Sequence, residues 1–346
     1  MIIWYGKGET AMVTFGLIGC GRIGQMHAQI LMKDERATLG AVYDLNKELS
    51  SGISQRTGAT FCEYDEELFN NSSIDAVWIS SVTATHAEYI EKAVASGKAV
   101  FCEKPIDLSL DRIRSCYTNI KSAKSPIQVG FNRRFDPGHS SIKKALDNGQ
   151  IGDLHQVIIT SRDPEMPSEE YYREAGGLFR DMTIHDFDLA RFYLGGDPIE
   201  IFASAQRMSD PALMNEIDDY DTAMFILCLS DGKQCLINNS RTAVYGYDQR
   251  VELLGSKGML QSDNIKSNQM KYYNGSGTEI SNPYLHFFLE RYQDAFVAQL
   301  ASFIDAVETD QPTEVGFEDG YKALVIAEAA YSSLKTGMKV SIDYHW

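Results

Sequence analysis

The sequence predicts two domains in tandem: an N-terminal, doubly wound parallel sheet, then an α+β domain built on an open, mostly antiparallel sheet. Three observations predict it. Short apolar runs alternate with helical stretches as far as Gly130. The alternation then stops, and strand-like segments follow one another across turns such as Ser230-Asp-Gly-Lys233. The first apolar run also opens into Gly19-Cys-Gly-Arg-Ile-Gly24, a glycine turn at a strand–helix junction.

Taken in order, strands are expected at 13–18, 38–43, 61–62, 76–80, 99–102 and 127–130. Helices are expected between them at 25–33, 47–58, 65–70, 86–96 and 110–123. Beyond Gly130, residues 131–138 read as a loop with two arginines, 141–148 as a short helix and 154–162 as a strand. A Pro-rich loop follows at 163–167, and Gly176–Gly195 reads as a glycine turn leading into a helix. Further strands are expected at 199–207, 221–229, 232–241, 249–254, 259–262 and 339–343. Long amphipathic helices are expected at 287–307 and 316–336. The implied division is an N-terminal extension at 1–11, a nucleotide-binding domain at 12–132 and a substrate-binding domain at 133–346, whose last helix is free to pack back on the first domain.

With 346 residues, 44% apolar and 23% charged, the chain can bury two cores of ordinary size. Its 48 acidic and 32 basic residues give a formal charge of −16. That balance argues against nucleic acid or an anionic membrane as partner, because both need a basic footprint. No apolar run approaches the roughly 20 residues of a membrane helix. The start, Met1 to Thr10, lacks the basic-then-apolar order of a secretory signal. Six cysteines with no Cys-x-x-Cys pair speak against a metal site or a disulfide framework and fit a reducing cytoplasm.

The glycine turn carries the first chemistry. Gly19 permits the tight turn, Gly21 lets the backbone approach a pyrophosphate, and Gly24 lets helix and strand pack closely. Arg22 and Ile23 lie in the same turn, at a helix N-terminus whose free N–H groups favour a phosphate. Asp44 follows Gly24 by 20 positions and ends the second strand, where a carboxylate accepts from the adenosine ribose hydroxyls. It would also repel a 2′-phosphate, so NAD is expected over NADP. Ligands of such sheets lie beyond the carboxyl ends of the strands. Two more strand ends therefore count as cofactor candidates. Ser80, Thr83 and His86 follow the fourth strand, where their side chains either line the groove or cap the next helix. Glu103 and Lys104 follow the fifth, within Glu103-Lys-Pro105. In the second half, Asp181 and His185 stand at helix positions i and i+4, one turn apart. A carboxylate there can orient an imidazole, whose pKa suits proton transfer near neutrality. On residues alone, a helix-surface pair or a core histidine satisfied by its neighbour is the other reading. A zinc site is a poor fit, because Asp181, His185 and Asp188 have no matching His/Cys run.

The combination of Gly-Cys-Gly-Arg-Ile-Gly, Glu103-Lys104-Pro105 and Asp181-x-x-x-His185 resembles the glucose–fructose oxidoreductase / inositol dehydrogenase (Gfo/Idh/MocA) family from about Thr14 to the C-terminus. Gly176-Gly-Leu-Phe-Arg-Asp-Met-Thr-Ile-His-Asp-Phe-Asp188 resembles its inositol 2-dehydrogenase branch, as do Ser161-Arg-Asp-Pro164 and Tyr245-Gly-Tyr-Asp248. The resemblance implies a Rossmann domain, an NAD-dependent polyol dehydrogenase, a homotetramer, and a catalytic set of Lys104, Asp181 and His185. It also implies substrate contacts from Lys104, Arg133, Asp163, Asp181, His185 and Tyr247. Within it, a scyllo-inositol, glucose or other aldose dehydrogenase, with NADP in some cases, is the neighbouring expectation. A dinucleotide-binding protein without turnover is the other class, and it would have no use for the lysine, aspartate and histidine together.

Overall fold

The computed structural model describes residues 12–346, so the expected extension at 1–11 lies outside the described residues. The chain forms two compact units: residues up to Gly130 together with Gln299–Gly320, and Phe131–Ala298 together with Tyr321–Trp346.

In the first unit, β1 (Val13–Ile18), β2 (Ala37–Tyr43), β3 (Thr60–Phe61), β4 (Ala76–Ile79), β5 (Ala99–Cys102) and β6 (Ile127–Val129) make one parallel sheet. Its order is β3-β2-β1-β4-β5-β6, the Rossmann arrangement. The order reverses between β1 and β4, which makes the ends of those two strands the place for a ligand. The central strands β4 and β5 are apolar and buried throughout because both faces are covered. Trp78 stacks on Phe101 with ring centroids 3.6 Å apart, and Phe303 closes on the pair edge-on at 6.2 and 5.9 Å. Leu300, Phe303 and Ile304 thus belong to the core of this unit.

The second unit contains β7 (Leu154–Arg162), β8 (Glu200–Gln206), β9 (Thr222–Cys228), β10 (Gln234–Ser240), β11 (Asp248–Gly255), β12 (Gly258–Ser262), a separate hairpin of β13 (Lys271–Asn274) and β14 (Gly277–Ser281), and β15 (Val340–Ser341). The large sheet runs β12-β11-β7-β10-β9-β8-β15 and is antiparallel except between β7 and β10. The helix Ile184–Leu194 packs on it through Phe187, whose ring meets Phe225 edge-on at 5.3 Å. On β8, β9 and β10 buried and exposed residues alternate. Register aligns Phe202, Ile226, Leu236 and Ile158 in one row, and the first three are exposed.

Three local expectations are corrected. Residues 131–138 are not a loop: Asn132–Phe135 is a 3-10 turn, and the next helix begins at Pro137. Asp136 caps that helix, accepting from the N–H groups of Gly138 and His139 at 3.1 Å, with proline at the first helical position. The stretch 287–307 is two helices, Phe288–Arg291 and Gln293–Thr309, broken at Tyr292. Side-chain partners win over helix continuity there: Arg291 is drawn to Asp136 at 2.5 Å, and the Tyr292 hydroxyl donates to Gln249 at 3.2 Å. Asp181 does not lie in a regular α-helix but in a π-turn, Phe179–Thr183, that feeds Ile184–Leu194. No helix among the described residues is long and apolar enough to cross a membrane.

His139 gives the fold a testable pH dependence. Its ring is buried against the Tyr193 hydroxyl, 3.0 Å from Nδ1. Burial pushes its pKa from 6.5 down to about 4, despite nearby Asp136. The unfolded chain therefore binds a proton between those values that the folded chain refuses, and stability falls as pH drops through that window. The contribution is about 3 kcal/mol in full. Denaturant midpoints from pH 7 to 4 should fall more steeply for the native chain than for His139→Asn; parallel slopes would rule this out.

Candidate active site

The glycine turn has the geometry its residues require. Gly19 sits at φ +89°, and a Cβ there would lie 2.3 Å from the Ser81 nitrogen. A Cβ on Gly24 would lie 1.9 Å from the Gly19 carbonyl oxygen, so the helix Arg22–Leu31 closes on the turn only because position 24 has none. At Gly21, the helix cap, a Cβ would meet nothing within 4 Å. Space at the start of this helix is what a phosphate at a helix N-terminus would need. Exposed Arg22 and half-buried Ile23 begin the helix. Asp44 accepts from the backbone N–H of Cys20 at 2.6 Å and of Asn46 at 2.7 Å, which fixes its carboxylate beside the turn. Ser80 donates to the Gly19 carbonyl at 2.8 Å and braces the turn from β4.

The loop after β5 is held from two sides. Glu103 meets Nε2 of buried His27 at 2.7 Å, tying this loop to the helix of the glycine turn. A Cβ on Gly130 would lie 2.6 Å from the second Glu103 oxygen. Lys104 is half-buried and joined to Pro105 by a cis peptide bond. His86 lies buried with its two ring nitrogens 2.8 Å from the Pro105 carbonyl and 2.9 Å from that of Ser81. Its ring therefore staples the two loops together, and burial lowers its pKa. Thr83 stands in the 3-10 turn between Ser81 and His86.

The second unit holds four of the expected substrate residues in or beside two ion-paired clusters, one around Arg133 and one around Arg241. Arg133 donates to Asp186 at 2.5 Å and to Ser161 at 3.0 Å, and its guanidinium lies 5.8 Å from the Tyr292 ring centroid. Tyr247 meets that ring edge-on at 5.9 Å. Arg241 donates to Asp163 at 3.0 Å and to Asp181 at 2.7 Å. Tyr171 donates to the other Asp181 oxygen at 2.8 Å. Burial pushes the Asp163 carboxyl upward, with Arg241 opposing it, and pushes Asp186 upward against Arg133. Half-buried His185 follows Asp181 by four residues and stands edge-on to Phe131 at 5.8 Å. Asp188 pairs with Arg134, at 2.8 Å for the Nε contact.

Comparison with known proteins places this architecture. Residues 13–131 match the model described as an oxidoreductase family with an NAD-binding Rossmann fold, and residues 139–261 match the GFO/IDH/MocA C-terminal domain. The chain belongs to the GFO/IDH/MocA oxidoreductase family. It is 43% identical to an inositol 2-dehydrogenase of Rhizobium meliloti, over 95% of this chain and 99% of that protein. A crystal structure of a myo-inositol dehydrogenase from Corynebacterium glutamicum superposes with a TM-score of 0.93 at 38% identity, covering 96% of this chain and 99% of that one. A scyllo-inositol dehydrogenase from Lactobacillus casei, solved with NAD(H) and scyllo-inositol, superposes with a TM-score of 0.88 at 29% identity, covering 95% and 99%.

For this GFO/IDH/MocA member, sequence reasoning named the motif residues and not the partners that the structure gives them. Arg241 and Asp186 carry no spacing signal, since each is defined by a contact more than fifty residues away, and Tyr171 reaches Asp181 from a separate short helix. An arginine ending the otherwise alternating strand at 234–240 was the available hint. The glycines allow a direct check of the NAD cradle. Gly24→Ala should lower stability by about 1–3 kcal/mol, because the helix must move away from the turn. Gly21→Ala should melt like the native chain yet bind NAD at least about tenfold more weakly. Unchanged NAD titrations for Gly21→Ala would remove the turn from the cofactor site.

Proposed function

We propose that this chain oxidises a ring hydroxyl of a cyclic polyol, foremost myo-inositol to its 2-keto product, with NAD as the oxidant. The observation that carries the reading is the network of Arg133, Asp163, Asp181 and Tyr247, which lines one unit with fixed donors and acceptors beside His185. A polyol ring presents several hydroxyls, and each one left unpaired on burial costs about 1–3 kcal/mol. A charged, prepositioned wall suits such a ring and would not suit an apolar substrate. The inositol dehydrogenases to which the chain is similar support the choice of ring.

NAD supplies the hydride acceptor. Gly19, Gly21, Arg22, Ile23 and Gly24 hold its pyrophosphate, and Asp44 takes the adenosine ribose hydroxyls and disfavours NADP. Ser80, Thr83, His86 and Glu103 shape the groove, mostly by fixing the two loops after β4 and β5. His185 takes the hydroxyl proton as hydride leaves the same carbon. Lys104 donates to that oxygen and stabilises its developing negative charge. Asp181 stabilises the protonated His185. Arg133 gives Nη1 to Asp186 and Ser161, so its Nη2 edge is the one we assign to the polyol. Asp163 and Tyr247 take the remaining hydroxyls. The Lactobacillus casei relative makes scyllo-inositol the second candidate substrate. His185→Ala and Lys104→Met should each cost about 100-fold or more in NAD-dependent oxidation across a panel of inositols and hexoses. Retention of activity within about tenfold in both variants would overturn these roles.

We assign the protein to the cytoplasm, on its six unpaired cysteines, five of them buried. We assign it a homotetramer in which the open sheet face packs against the same face of another copy. The row Phe202, Ile226, Leu236 and Ile158 leaves apolar side chains on that face, as a subunit contact requires. Ile226→Glu should lower the mass seen by light scattering without changing the fold; an unaltered tetramer, or a native chain that is monomeric, would contradict this.

A further inference from the structure

Arg241 enters the site by strand register rather than by motif. β7 and β10 run parallel, with Arg162 opposite Ser240. The next residue on each strand is Asp163 and Arg241, and the Asp163 N–H donates to the Ser240 carbonyl at 2.9 Å. The two side chains therefore leave the sheet side by side. Arg241 is almost wholly withdrawn from water, with 4% of its side chain exposed. It gives Nη1 to Asp163 and Nη2 to Asp181, one guanidinium spanning two carboxylates. Its guanidinium carbon also lies 5.4 Å from the Tyr172 ring centroid.

Resting on the polyol-oxidation reading, we propose that Arg241 is a positioning residue of this reaction, holding Asp163 and Asp181 together as two ionised acceptors for the substrate and for His185. Two carboxylates this close and this dry repel each other, and without a cation between them one takes up a proton. A protonated Asp181 no longer stabilises the protonated His185. A protonated Asp163 becomes a donor where the polyol meets an acceptor. The charged and titratable groups facing the trio are Tyr171 and Tyr172 on the helix Glu169–Glu174, Arg133 on the 3-10 turn with its partner Asp186, Tyr247, and buried Asp219. Tyr171 supplies the second hydrogen bond to Asp181 but no charge. Asp219 adds negative charge and accepts from the Leu178 N–H at 3.1 Å. Removing Arg241 thus leaves a net negative pocket, and every proton-binding group in it holds its proton to higher pH.

The test is the pH profile of kcat/KM for myo-inositol with saturating NAD, in the native chain, Arg241→Met, Arg241→Lys and Asp163→Asn. Arg241→Met should move the acid limb up by about one pH unit and raise KM, with Arg241→Lys recovering part of both. Asp163→Asn should move the acid limb in the opposite direction, because Asp181 and His185 then lose a negative neighbour. This second variant carries the test by itself should Arg241→Met fail to fold. NAD affinity should stay at the native value in all of them. An acid limb that stays in place, or a loss by the same factor at every pH, overturns the proposal while native turnover leaves the functional reading standing. A native chain that turns over no cyclic polyol overturns that reading, and this proposal with it.

Discussion

A carboxylate taken out of water must be met by a cation or by donors, and the second unit is organised around that requirement. Asp136, Asp181, Asp186 and Asp188 are all buried, and each is met by an arginine: Arg291, Arg241, Arg133 and Arg134. None of these arginines is a sequence neighbour of its aspartate. Together they tie the 3-10 turn after Phe131, the π-turn and its helix, the end of β10 and the break at Tyr292 into one arrangement. Removing either member of such a pair leaves an uncompensated buried charge, at a cost of about 3–5 kcal/mol. The network we propose as the polyol site is therefore also what holds this part of the fold in one conformation.

In the first unit, space does the work that charge does in the second. Gly19 and Gly24 are required by the close approach of backbone to backbone, whereas Gly21 faces open space. One six-residue turn thus separates into two glycines that the packing requires and one that it does not. The neighbouring loops are fixed in the same economical way. His27 holds Glu103 and His86 holds Pro105, so Lys104 extends from a loop anchored on both sides. The oxyanion role proposed for Lys104 would gain from such anchoring, because little reorganisation would remain when the charge appears.

Much of the fold was legible in the sequence because its signals are local. Six parallel strands follow from apolar runs alternating with helices, and the turn at Gly19–Gly24 follows from what glycine alone can do. Asp44 was legible from its distance to that turn. The errors were equally physical. Residues 131–138 looked like a loop although Asp136-Pro137 is a helix start. The helix expected at 287–307 breaks because Arg291 and Tyr292 find partners elsewhere. Periodicity says nothing about such partners.

The sequence by itself determined which chemical groups are present and which of them sit at strand ends and helix starts: the glycine turn, Asp44, Glu103-Lys-Pro105, Asp181 and His185. Those depend on neighbours within a turn or two of chain, where spacing is geometry. Only the tertiary structure decided that Arg241 bridges Asp163 and Asp181, that Asp186 holds Arg133, and that His27 and His86 brace the loops. Each of these pairings spans 19 to 78 residues. The Arg241 bridge exists because β7 and β10 are aligned in parallel register, and the others because a buried charge or ring nitrogen must be met by a partner wherever the fold supplies one.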